Sequence, residues 1–90
     1  MEITVYGPVR SATGAKTVSF EFDGGTVADA VAAFVDAYPR AEAHLYDGDD
    51  HDELRSSVRV TVDGERATMA DRVPADASLT LMPAVQGGTR

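Results

Sequence analysis

Ninety residues carry a formal net charge of −7, with eight basic side chains against fifteen acidic ones and no cysteine. The length suits one domain around one core. The missing cysteine excludes a disulfide framework, a thiolate nucleophile and a cysteine-based zinc site, and the few, scattered basic residues argue against binding nucleic acid through its phosphates.

No apolar run is long enough for a membrane span and no charged-then-apolar leader opens the sequence, so a cytoplasmic protein is expected. Asp outnumbers Glu, and Lys16 is the sole lysine against seven arginines. Such a lysine-poor, acidic surface suits concentrated salt, which screens self-repulsion, or alternatively a basic partner.

Met1 to Tyr6 alternates apolar and polar residues, predicting a half-buried strand with Met1, Ile3 and Val5 inward. Gly7-Pro8 breaks it, and residues 9–15 read as a connecting loop. Alternation resumes over Lys16 to Phe22, with Val18, Phe20 and Phe22 on one face, so the first two strands are expected to form a hairpin. Asp23-Gly24-Gly25 closes the second strand with turn residues. Thr26 is then a good helix N-cap, and Asp29 three residues later completes a capping-box pattern. Val27, Ala30, Val31, Phe34, Val35 and Tyr38 recur at three- and four-residue spacing, the stripe of an amphipathic helix that Pro39 stops.

Between Arg40 and Ser57 the pattern fades, with Ala43, Leu45, Tyr46 and Leu54 as candidate anchors to the core. The acidic run Asp47 to Glu53 misses the glycine and glutamate positions of a calcium loop and reads as a solvated loop. His44 and His51 lack metal-ligand spacing, so no metal site is expected. Val58 to Val62 alternates as a strand, Asp63-Gly64 marks a hairpin, and Glu65 to Thr68 returns as a short strand. Met69 to Ala77 is a turn-rich connection with Val73 as its buried residue. Ser78 to Met82 is the last strand, with Leu79 and Leu81 inward and Pro83 ending it. The architecture predicted is α+β, with a folded body over 1–83 and a flexible C-terminal tail over 84–90.

That tail contains Gly87-Gly88. A paired glycine there adds no buried surface, but it is slim enough to thread into a partner's active site. Frayed, solvated residues are the competing reading. On the folded body, the outer sheet face flanks the tail and cannot be core. Alternation assigns Tyr6, Arg59, Thr61 and Met82 to it, and Tyr, Arg and Met are types enriched at interfaces, although an ordinary solvated face fits the same pattern.

Four segments carry a resemblance. Gly25-Thr26-Val27-Ala28-Asp29 is similar to the Gly-Thr-Val-x-Asp helix entry of the sulfur-carrier branch of ubiquitin-like β-grasp proteins. Tyr38-Pro39 is similar to that family's helix exit, Val58 to Gly64 to its Val-x-Val-x-Val-Asn/Asp-Gly strand and turn, and Pro83 to Gly88 to its Pro-Pro-Val-x-Gly-Gly ending. The branch includes the small subunit of molybdopterin synthase, the thiamine-pathway carrier and the small archaeal modifier proteins. It implies a single-domain β-grasp fold, a mixed sheet packed on one main helix, and a protein that is not an enzyme.

The resemblance further implies that an E1-like activating enzyme, using ATP, adenylates the Gly88 carboxylate. That carboxylate then becomes a thiocarboxylate or thioester, or an isopeptide on target lysines; no cofactor is bound by the chain itself. Lys16 is the one possible acceptor lysine within the chain. Thr89-Arg90 depart from the family's ending and imply trimming by a peptidase; Ala84 and Asp76-Ala77 also depart from its usual residues. Two alternatives stand beside the modifier and sulfur carrier. One is a small subunit whose tail enters the molybdopterin synthase large subunit, in molybdenum cofactor biosynthesis. The other is a non-conjugated β-grasp binding module with a vestigial tail.

Overall fold

A computed structural model describes residues 1–46, 54–55 and 57–83. Strand β1 (Glu2–Val5) leads through helix α1 (Pro8–Thr13) into β2 (Thr17–Ser19); β3 (Gly25–Thr26) runs directly into the main helix α2 (Val27–Ala37). A 3-10 turn (Pro39–Ala41) and a short helix α3 (Glu42–Leu45) follow, then β4 (Val58–Val62), β5 (Glu65–Arg66), β6 (Arg72–Val73) and β7 (Ser78–Pro83). Five strands form one sheet in the order β2-β1-β7-β4-β5, while β3 and β6 make a separate two-stranded ribbon. The central pair β1–β7 is parallel and its neighbours are antiparallel. This is the expected β-grasp: a mixed sheet with one main helix across it.

The inward positions behave as the alternation predicts. Ile3, Val5, Val60, Leu79 and Leu81 are buried, and the α2 stripe of Val27, Ala30, Val31 and Phe34 is fully excluded from solvent against them. Phe34 is the largest side chain there; its ring lies 5.9 Å from Phe20 and 5.5 Å from Tyr38, centroid to centroid, both tilted. Burying one such side chain contributes about 1.5–3 kcal/mol, which is substantial for a domain of this size. Met1, Val18, Phe22, Val35 and Leu54 complete the periphery as partly buried residues.

Helix α2 begins with every early backbone donor engaged. The Thr26 hydroxyl accepts from the Asp29 N–H at 3.1 Å, and the Asp29 carboxylate accepts from the Thr26 N–H at 3.0 Å. The next two N–H groups leave the helix: Val27 donates to the Asp71 carbonyl at 2.8 Å and Ala28 to that of Met69 at 3.0 Å. Groups that would otherwise be orphaned at a helix start therefore tie α2 to the 69–71 turn. Gly25 makes this possible. Its φ is +151°, and a Cβ there would meet the Asp29 Oδ2 at 2.7 Å.

Several expectations need correction. Residues 9–15 are not a plain loop: they hold most of α1, with Val9 buried and Gly14 closing the helix at φ +76°. A six-residue helix is too short to show periodicity, so only the Pro-first, Gly-last punctuation marks it. The β1–β2 pairing is antiparallel as expected, but α1 sits in its connection. The second strand stops at Ser19 rather than Phe22, after Phe20 exchanges bonds with Met1. Ala43 is exposed; Ala41 and Leu45, four residues apart, take the core side instead. The returning strand after Gly64 ends at Arg66, and the last strand extends through Pro83. Val73 is buried as expected, and it also pairs with Gly25 in the ribbon. The acidic run Asp47 to Glu53 and the tail over 84–90 lie outside the described residues.

At the end of β1, Gly7 adopts φ +66°, and a Cβ there would come within 3.0 Å of the Pro83 Cγ. The end of β7 thus lies tightly against Gly7.

Two outcomes follow for stability. Hydrogen bonds from Thr26, backbone first and then side chain, hold the Asp29 carboxyl below its usual pKa, and Arg72 adds a smaller pull. A native pKa below the unfolded one gives stability that is full above the unfolded value and is lost as pH falls through the native value. The melting-temperature gap between the parent and Asp29→Ala should therefore be widest near neutrality and shrink in acid; a gap independent of pH would contradict the capping account. Gly7→Ala should lower the melting temperature more than Gly14→Ala. Gly14 is left-handed helical, which costs a side chain about 1–2 kcal/mol, and has nothing within 4 Å of an added Cβ, whereas Gly7, at φ +66° and ψ −145°, holds a backbone region that is essentially glycine's alone and also faces Pro83. Equal losses in thermal melts would show that neither the backbone of Gly7 nor the approach of Pro83 adds a constraint.

Candidate functional site

The face of the sheet opposite α2 is built by cross-strand register. Thr17, Thr4, Thr80, Thr61 and Arg66 fall in one row across all five strands. Thr4 and Thr17 lie within hydrogen-bonding distance, oxygen to oxygen, at 3.3 Å. One step nearer the tail, Arg59 is the direct partner of Met82. Tyr6 continues β1 beside them, its N–H donating to the Leu81 carbonyl at 3.0 Å. Because Val60 and Leu81 are buried, their neighbours Arg59, Thr61 and Met82 must point the other way. The structure thus brings the four residues Tyr6, Arg59, Thr61 and Met82 onto one face, in adjoining rows.

Tyr6 is the one large hydrophobic side chain exposed among the described residues, at 38 %. Lys16 stands at the edge of β2, where its carbonyl accepts from the Val5 N–H at 2.8 Å. Its Nζ lies 5.1 Å from the centroid of the Tyr6 ring, a cation over an aromatic face. Sequence reading singled out both residues for separate reasons and gave no sign that they touch. Charge on this face is unlike that of the whole chain. Arg59 and Arg66 occupy its rows and Lys16 its edge, whereas Glu2 is the carboxylate its alternation supplies.

Beside the face, where β7 ends, a groove of about 340 Å³ opens between Tyr6, Val9, His44, Val58, Met82 and Pro83. Arg55 also borders it and is held in place: its Nη1 donates to the Ala43 carbonyl at 3.1 Å and its backbone N–H to that of Leu45 at 2.7 Å. No motif announces this groove, because its walls come from α1, α3, β4 and β7. The missed helix α1 hid one wall entirely. His44 is exposed at its rim.

No group of three or more His, Cys, Asp or Glu able to hold a metal ion occurs among the described residues. Burial lifts the Tyr46 phenol above its usual pKa, and Glu42 adds to that, so it stays neutral. Among the described residues no helix is long and apolar enough to cross a membrane. Gly87 and Gly88, the residues singled out for conjugation, lie outside the described residues.

The chain is 36% identical to Small archaeal modifier protein 1 of Haloferax volcanii over 89 residues, covering 98% of this chain and 100% of that one. A crystal structure of H. volcanii small archaeal modifier protein 1 superposes with a TM-score of 0.85 at 31% identity, covering 94% of this chain and 97% of the other. The fold is also that of the Amycolatopsis orientalis BexX/CysO complex, at a TM-score of 0.75 and 23% identity, covering 97% of this chain and 98% of that chain. The relative shared over nearly the full length is a modifier rather than an enzyme. Residues 3–88, first strand to paired glycine, match the ThiS family, and this chain accordingly belongs to it, as a ubiquitin-like modifier and sulfur-carrier protein.

Proposed function

We propose that the reactive group of this protein is the carboxyl of Gly88, activated by a partner enzyme on ATP. The observation that carries the reading is whole-length similarity to a modifier, with Gly87-Gly88 following the last strand of the fold. A Gly88 carboxylate oxygen attacks the α-phosphorus of ATP; pyrophosphate leaves and an acyl adenylate forms. A sulfur nucleophile or a target lysine amine then attacks the carbonyl carbon and displaces AMP. The products are a thiocarboxylate or thioester in the first case and an isopeptide in the second.

In the sequence as it stands, the Gly88 carbonyl is bound in an amide to Thr89. An amide offers no carboxylate to ATP, so water must first cleave that bond, in a peptidase-assisted step that releases Thr89-Arg90. The partner contact falls on the outer face at Tyr6, Arg59, Thr61 and Met82, next to the groove at the root of the tail. Supporting this placement are its exposed aromatic, its local excess of cations and its distance from the buried face. Lys16 is the acceptor available for links between copies. Dependence on ATP places the work in the cytoplasm.

Pyrophosphate exchange with the activating enzyme checks the mechanism on three versions of the chain. The version ending at Gly88 should exchange, and the full chain and one ending at Gln86 should not. Equal exchange with and without Thr89-Arg90, with no trimming by mass, would contradict the requirement for a free Gly88 carboxylate. Inactivity of all three would favour the binding module with a vestigial tail.

A further inference from the structure

The position of the sole lysine bears on how copies of the modifier could be joined. Lys16 is exposed, yet its ammonium rests 5.1 Å from the Tyr6 ring centroid. Tyr6 in turn borders the groove with Met82 and Pro83, where the tail begins. The acceptor amine therefore lies inside the contact surface assigned above rather than on the far side of the molecule. From this we propose that an isopeptide on Lys16 closes the acceptor copy to its own activation, so that chains lengthen outward only from a copy already attached through Gly88. The inference rests on the Gly88 mechanism and on the outer face as the docking surface.

The chemistry and the geometry act in the same direction. The neutral Lys16 amine attacks the carbonyl carbon of a donor's Gly88 adenylate; the C–N bond forms, the C–O bond to AMP breaks and the amine proton leaves. The nitrogen becomes an amide, so the cation over Tyr6 is lost. The donor body also arrives on a short tether. Five residues separate Pro83 from the new bond, a reach of at most about 17 Å when fully extended, whereas the domain is 24 Å across its smallest dimension. The donor body is therefore held close to the face that carries Lys16 and Tyr6.

An acceptor whose Gly88 is already bonded to a target loses nothing by this, since its activation is over. A free acceptor becomes a dead end. Two unattached copies joined through Lys16 thus make a dimer that cannot be passed on, and the face that docks the enzyme also rejects preassembled chains.

The test uses copies ending at Gly88, joined by chemical ligation into dimers whose acceptor keeps a free terminus. In one dimer the link is at Lys16. In the other, the acceptor carries Lys16→Arg with Asp36→Lys, which moves the link to an exposed position on α2 behind the sheet. Pyrophosphate exchange of the acceptor terminus is measured against the unlinked chain. Exchange by the Lys16-linked dimer should fall at least about tenfold below the unlinked parent, the scale of a blocked interface anchor, and the dimer linked on α2 should keep the activity of an unlinked chain carrying the same two substitutions. Equal exchange by the two dimers, whether retained or lost in both, would overturn the inference while leaving the Gly88 mechanism intact. No exchange by the unlinked chain would remove that mechanism and this inference together.

Discussion

The parallel ladder between β1 and β7 is the constraint on which the rest depends. It pairs Glu2 with Ser78 through to Val5 with Leu81, so the first and last strands lie side by side at the centre of the sheet. Parallel neighbours need a crossover between them, and here that crossover contains α2, which closes the core. Because both strands point the same way, the chain leaves β7 beside the place where β1 turns away. Gly7 and Pro83 meet there, and a Cβ on Gly7 would come within 3.0 Å of the proline ring. The exit of the tail is thereby fixed to the body by the same pairing that holds the fold together.

The two sides of that sheet are divided by chemistry. One side meets the fully buried stripe of α2. The other presents a row of threonines, a methionine, a tyrosine and cations in a chain whose net charge is −7. β-branched hydroxyl residues keep a strand regular without needing cover, so this face is stable open. An open surface with more cations than carboxylates, next to the end of β7, suits the docking role proposed for it. The helix side is the one committed to stability.

Much of this was legible in the sequence, for physical reasons. Strands facing solvent on one side alternate, so Ile3-Val5, Val58-Val60-Val62 and Leu79-Leu81 announce themselves. The α2 stripe and the Thr26–Asp29 reciprocal cap follow from helical spacing and terminal donors. Elements shorter than their own period stayed hidden. Helix α1 is six residues long, and the β3–β6 ribbon is two residues long on each side. That ribbon is held instead by bonds from the first turn of α2 to Asp71 and Met69, which no local pattern encodes. Ala41 and Ala43 were indistinguishable by composition, and only the phase of a four-residue helix decides which is buried. The outward positions of Tyr6, Arg59, Thr61 and Met82 were readable residue by residue. The contact of Lys16 with Tyr6 was not, because it joins the edge of one strand to the end of the next.

The central claim is that the Gly88 carboxyl is the group through which this protein is activated. Mass spectrometry of the protein taken from its native cells addresses that claim most directly. The account predicts molecules ending at Gly88, a fraction with sulfur in place of one terminal oxygen, and Gly88 found in isopeptide linkage to lysines of other proteins. A population that ends uniformly at Arg90, with neither sulfur nor linked lysines at Gly88, would contradict it.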